Sequence, residues 1–262
     1  MGKKKVLFIS GPIGLGHAIR DITVARELRA RNPELDIVWL AAEPAASLIR
    51  EAGETLLPES EQYVGDQFIA EGEPRGFELN LLKFLLKSRK AWKANAEVFK
   101  KLVRRCSFDL IIADKAYDTA LTLRDNPGLK RCPFVMIYDF VGLDAATRDP
   151  MEKLGIYNLN LAWFEFNQAS EVEDLSLFVG EPEDVPDKPF GMLLANRRSH
   201  AAQHYTFIGH ILSFDPEDYS DRTGLRERLG YGKEPLILAT VGATAIGAYL
   251  LNLCAGAYPL IK

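Results

Sequence analysis

Short apolar runs alternate with mixed amphipathic stretches along most of the chain. Residues 6–10 (VLFIS) and 36–41 (DIVWLA) are two such runs. The span 17–31 between them mixes Ile19, Ile22, Val24, Ala25 and Leu28 with Arg20, Asp21, Arg26, Glu27, Arg29 and Arg31. A run that is short and apolar throughout reads as a strand covered on both faces, and the mixed span, closed by Asn32-Pro33, reads as an amphipathic helix. Strand, helix, strand in that order predicts parallel pairing with a right-handed crossover.

The alternation continues. A short helix is expected at 43–52, a loop at 56–76 and a long helix at 79–106, then strands at 108–113 and 132–138 with a helix at 117–124 between them. Residues 174–179 read as another strand and 206–211 as strand-like, with the acidic, proline-rich 180–189 as a surface loop. The fold class is α/β, a Rossmann-like parallel sheet with flanking helices. Pro216, Gly224, Gly230 and Gly232 stand among many charges in 215–233, the composition of a linker. Beyond it, 236–241 (LILATV) restarts the strand pattern and 246–261 reads as an apolar helix. The expected organisation is a first domain over 1–214, a linker over 215–233, and the beginning of a second, truncated α/β domain over 234–262.

Composition narrows the classes. With 47% hydrophobic and 26% charged residues in 262, the chain has the make-up of a globular protein, enough for one large domain or two small ones. A net charge of −4 and a pI near 5.7 argue against a whole-protein grip on nucleic acid, so none is expected as a partner. Cys106, Cys132 and Cys254 are odd in number and lack CxxC spacing, which predicts buried, reduced thiols in a cytoplasmic protein rather than a disulfide framework or a zinc site. No stretch approaches the roughly 18 apolar residues of a spanning helix, which limits membrane contact to the periphery.

The first strand runs into Gly11-Pro-Ile-Gly14-Leu-Gly16-His17. Glycines between a strand and a helix let the backbone turn tightly and let a ligand approach the unpaired N–H groups of the helix start. The spacing is neither the GxGxxG of dinucleotide binders nor the GxxxxGK[ST] of a P-loop, so redox and NTPase readings lose ground. His17 is placed at the helix start, facing the crevice at the carboxyl edge of the sheet. Asp114 ends the 108–113 strand, so its carboxylate emerges at the same edge. An imidazole facing a carboxylate is a suitable general base for an acceptor hydroxyl. Asp114 equally fits as a cap of the helix that follows, His17 as a donor to a backbone carbonyl, and Asp139 either lines the cleft or caps a turn.

GPIGLGHAIR resembles the amino-terminal motif of GT-B nucleotide-sugar glycosyltransferases, particularly the subgroup near the lipid-acceptor enzymes of cell-wall synthesis, and FDLIIADKAYDTAL supports the likeness. The resemblance implies that His17 is the catalytic base and Asp114 its partner, with inverting transfer from a UDP-sugar by direct displacement at the anomeric carbon and no further cofactor. It implies an acceptor cleft lined by Gly14, Gly16, Arg20 and Asp139. More weakly, YTFIGHIL at 205–212 and ILATVGATAIG at 237–247 are similar to the family's linker and to the loop opening its donor domain, which makes Gly242 and Thr244 donor contacts. Family members commonly carry two adjacent glycines there, where this chain has Gly242-Ala243. The later loops that hold a donor nucleotide are absent from the sequence, which implies a donor-domain partner or a chain incomplete for catalysis alone.

The 79–106 helix carries nine basic residues against the single acid Glu97. Lys83, Lys87, Lys90 and Lys93 with Trp92 form the kind of basic, aromatic face that contacts an anionic membrane surface, as an enzyme with a lipid-linked rather than a small-molecule acceptor would use; the plainer expectation is one face in the core and a solvated basic face. His200 and His204 are four apart without the glutamate of HExxH, so a structural role is expected and no metal site, and His210 has no evident partner. Two other functions share this architecture: a non-catalytic recruiting subunit of a split transferase, and a sugar-nucleotide epimerase.

Overall fold

The computed structural model describes residues 2–11, 15–65, 80–169, 172–241 and 247–260. Seven strands form one sheet: β1 (Lys4–Ile9), β2 (Leu35–Leu40), β3 (Thr55–Leu56), β4 (Leu110–Asp114), β5 (Phe134–Tyr138), β6 (Leu175–Phe178) and β7 (Thr206–Phe207). Their order is β3-β2-β1-β4-β5-β6-β7 and every pairing is parallel. The helices are α1 (Leu15–Arg31), α2 (Ala45–Glu51), α3 (Leu81–Arg105), α4 (Tyr117–Asp125), α5 (Pro150–Ala169), α6 (Arg197–His204), α7 (Arg222–Arg228) and α8 (Gly247–Ala257).

The apolar strands are covered on both faces. Val6 and Phe8 of β1 join Ile37 and Trp39 of β2 in a core under α1 and α2, where Ala18, Ile22, Ala25 and Ile49 meet them. The alternate residues Leu7, Ile9, Val38 and Leu40 join the opposite core, closed by Val98, Phe99 and Leu102 of α3 and Ala120 and Leu123 of α4. Period-two alternation thus feeds two hydrophobic layers, the reason such strands carry few polar residues. A half-buried polar knot ties the first layer: Glu54 accepts from both guanidinium nitrogens of Arg29 at 2.6 Å and from the indole Nε1–H of Trp39 at 2.7 Å.

α3 divides by face. Phe84, Ser88, Ala91, Asn95, Val98, Phe99 and Leu102 are buried at helical spacing, while Lys83, Lys87, Arg89, Lys90 and Lys93 are exposed and Trp92 is half-buried. The helix begins where the Asn80 side chain accepts from Lys83 N–H at 3.0 Å.

Several expectations need correction. In α1, Asp21 is fully buried and Ile19 is exposed, the reverse of their polarity. The cysteines are not buried thiols: Cys106 and Cys132 are half-buried and Cys254 is exposed, though all three are free. Residues 236–241 form no strand; Leu236, Ile237 and Leu238 lie exposed, and no described segment lies alongside to supply the ladder a parallel strand requires. Of the expected 206–211 strand only Thr206–Phe207 pairs, and α5 was not anticipated as a helix. Among the described residues no helix is long and apolar enough to cross a membrane.

Candidate active site

In an open parallel sheet, ligands bind outside the carboxyl ends of the strands where the strand order reverses. Here the reversal lies between β1 and β4, since β2 and β3 extend to one side and β5 to β7 to the other. Two local features shape that edge. A Cβ at Gly11 would stand 2.7 Å from the Asp114 carbonyl oxygen, so only glycine lets the end of β1 pass so close to the end of β4. Lys115 takes a left-handed φ of 50°, uncommon for a residue with a side chain, and turns the chain sharply after Asp114 while its N–H still bonds Ile137 O at 3.1 Å.

Asp114 is completely buried there. Its Oδ2 lies 3.1 Å from His17 Nδ1 and accepts a short hydrogen bond from Arg20 Nη2. It does not cap α4, whose first turn follows Ala116 with no side-chain cap. Burial alone would raise the Asp114 carboxyl; the hydrogen bond and charge of His17 and the charge of Arg20 outweigh it and hold the group at about 2. Asp114 is therefore a carboxylate at neutral pH. His17 Nδ1 faces both the Asp114 carboxylate, at 3.1 Å, and the Arg20 guanidinium nitrogen Nη2, at 2.8 Å.

Asp139, just after β5, faces the same space and is a quarter exposed. His17 Nε2 is 3.6 Å and Arg20 Nη1 3.5 Å from its Oδ2, and Lys115 Nζ is 3.1 Å from its Oδ1. The ends of β1, β4 and β5 and the start of α1 thus bring His17, Arg20, Asp114 and Asp139 together. Gly16 lies at the exposed first turn of α1, with open space where a side chain would project. Gly14, Gly242 and Thr244 fall outside the described residues.

Sequence reasoning missed five residues near this cluster. Lys115 was hidden as an ordinary surface-type lysine. The aromatic side chains of Tyr117, Phe140 and Trp163 meet with ring centroids 5.4 to 6.3 Å apart, and Lys115 Nζ stands 4.6 Å from the Phe140 ring centre. Asp21, fully buried on α1, accepts from Ser10 Oγ at the end of β1 at 2.6 Å. The available signal was position, because Ala18, Asp21, Ile22 and Ala25 share the buried stripe of α1.

The remaining histidines lie elsewhere. His200 is buried among Phe164, Phe190 and His204, and burial, reinforced by the charge of His204, lowers it to about 4. Exposed His210 stands 3.5 Å from Asp184. Among the described residues no three His, Cys, Asp or Glu side chains are grouped to hold a metal ion.

No family model and no curated protein matches the sequence. Solved structures to which the chain is similar in fold include glycosyltransferases. They include the glycotransferase of kitacinnamycin, at 14% identity and a TM-score of 0.47, covering 80% of this chain and 52% of that one. HepE of Anabaena, solved with UDP and glucose, is 16% identical at a TM-score of 0.41, with 87% of this chain and 50% of that one covered. MurG of Acinetobacter baumannii is 14% identical at 0.38, with 84% and 49% covered. This chain spans about half the length of each.

Proposed function

We propose that the chain is the acceptor-binding half of an inverting UDP-sugar glycosyltransferase of GT-B type, with His17 as general base, and that it turns over only with a donor-binding half. The observation that supports this most is the imidazole held at the switch point: His17 Nδ1 lies 3.1 Å from buried, ionised Asp114, and Nε2 lies 3.6 Å from the quarter-exposed Asp139. In the proposed reaction Nε2 takes the proton of an acceptor hydroxyl as its oxygen attacks the anomeric carbon, the bond to the UDP oxygen breaks, and Asp114 balances the imidazolium. Arg20 and Lys115 hold Asp139 at the cleft mouth, and the Tyr117–Phe140–Trp163 wall suits an acceptor with an apolar part.

On this reading 1–214 is the acceptor-side domain, 215–233 the linker and 234–262 the start of the donor side, where Gly242 and Thr244 contact the donor. The exposed lysines of α3 favour a second role at an anionic membrane surface, for a lipid-linked acceptor or for recruitment of a transferase partner.

The test is transfer of radiolabel from UDP-sugars to small-molecule and lipid acceptor pools, by the chain alone and combined with a donor-binding half. Transfer that His17→Ala abolishes supports the reading. Transfer that persists undiminished in His17→Ala overturns it.

A further inference from the structure

The wall of the cleft that carries Asp139 and Phe140 is held by side chains. Among the described residues, no backbone group of 140–148 bonds another backbone group. Buried backbone polar groups need partners all the same, and α5 supplies them. Glu152 accepts from Ala146 N–H at 3.3 Å and from Thr147 N–H at 2.9 Å. Asn160, two turns further along α5 and 2% exposed, takes both backbone groups of a single residue. Its Oδ1 accepts from Leu143 N–H at 2.7 Å and its Nδ2 donates to Leu143 O at 2.9 Å. Nδ2 also donates to Phe190 O at 2.7 Å, so both amide protons are used.

A second tie reaches the same point from α6. Arg197, as deeply buried as Asn160, donates to Leu143 O at 2.7 Å and holds Asp144 through both terminal nitrogens, at 3.0 and 3.1 Å. Between Leu143 and the cleft stands Gly142, with φ 72°, where a Cβ would lie 2.8 Å from Arg197 Nε and from the Phe190 ring. Val141 before it is buried in the core. Trp163, three positions after Asn160, shares its side of α5, and its ring centre stands 5.4 Å from that of Phe140. Lys115 Nζ lies 4.6 Å from the Phe140 ring centre and 3.1 Å from Asp139, which stands 3.6 Å from His17 Nε2. A line of contacts thus runs from α5 to the imidazole.

We infer that Asn160 is a positioning residue of the cleft. By fixing the Leu143 backbone it sets where Phe140 and Asp139 stand relative to Lys115 and His17, with Arg197 as the second tie. A wall already in place spares a ligand the cost of ordering it on binding.

That the wall meets an acceptor rests on the proposed function, whereas the coupling of Asn160 to the His17 environment does not, and it is read by NMR on the purified chain without substrate. In the wild type the Leu143 amide should exchange with solvent at least about a hundredfold more slowly than an unstructured amide. Exchange at the unstructured rate would overturn the inference. Asn160→Leu keeps the approximate volume and adds no charge, but removes donor and acceptor together. Leu143 exchange should then rise about tenfold or more while Phe8 and Ile112 keep their rates. Equal acceleration at all three would make Asn160 a general stabiliser of the fold and sink the positioning role. The ring ¹⁵N signals of His17 should shift in the variant while those of exposed His210 stay, and a stationary His17 would count equally against it. Asn160→Ser, smaller and still polar, carries the same readouts where Asn160→Leu folds poorly.

Discussion

His17 Nδ1 and Asp114 Oδ2 stand 3.1 Å apart although 97 positions separate the residues in the chain. The distance results from adjacent parallel strands, β1 and β4, ending near one level: Ile9 pairs with Ala113, Asp114 is the last residue of β4, and His17 stands in the first turn of α1, which follows β1. Replacing Asp114 with Asn keeps the shape but removes the negative charge that stands against the imidazole. For the combined two-half enzyme we expect kcat to fall about a thousandfold with KM for the UDP-sugar little changed. Steady-state transfer by Asp114→Asn checks this, and a loss confined to KM would assign Asp114 to binding.

His200 gives the fold an acid-sensitive point. Its folded value of about 4 lies below the 6.5 of an unperturbed imidazole, so on acidification the unfolded chain takes up a proton that the folded one refuses. The stabilisation is complete above about pH 6.5 and is lost as pH falls toward 4. Between pH 7 and 4.5 the wild type should lose about 2 to 3 kcal/mol that His200→Leu does not lose. Urea midpoints of both proteins at the two pH values measure it, and parallel pH profiles would contradict it.

Glu54 anchors β2 to α1 through Arg29 and Trp39. Burial works against its ionised form, but the hydrogen bonds of Arg29 and Trp39 prevail and lower its carboxyl below the ordinary range. Its contribution is present above that range and is lost as pH falls through the lowered value. Glu54→Gln should cost about 2 kcal/mol at pH 7, read as a lower urea midpoint with unchanged m, and the gap should narrow toward pH 3.

The exposed lysines of α3 provide a test of membrane contact. With about 1 kcal/mol for each cation near an anionic surface, replacing Lys87, Lys90 and Lys93 together with Gln should weaken sedimentation with phosphatidylglycerol vesicles about a hundredfold. Added salt should do the same to the wild type. Equal co-sedimentation of variant and wild type would leave the basic face merely solvated.

The fold was legible where periodicity was unambiguous. β1, β2, β4 and β5 are unbroken apolar runs, and α1 and α4 are mixed segments of ordinary length between them. α5 escaped because Leu159, Leu161, Ala162, Trp163 and Phe164 leave little polar face, and Gly155, Asn158 and Asn160 interrupt its period. The expected strand at 236–241 had the right composition but no neighbour, and a parallel strand is defined by its neighbour. Within the site, strand ends and a glycine loop placed His17 and Asp114 at one edge without coordinates. Asp21 was unreadable by polarity, since a lone acid in an amphipathic helix ordinarily faces water. Lys115 and Phe140 were unreadable because their roles depend on the turn after β4 and the packing of α5.

The β1–β4 pairing, Val6 with Leu110 through Ile9 with Ala113, has a consequence for how the site is kept. Those strands are the interior of the sheet, flanked by β2 and β3 on one side and β5 to β7 on the other, so neither can fray from an end. Separating His17 from Asp114 through the backbone means melting the central ladder. Amide protons of Phe8 and Ile112 should therefore exchange with solvent only through global opening, and the constellation should survive any local breathing of the outer strands. Its lifetime is the lifetime of the folded domain.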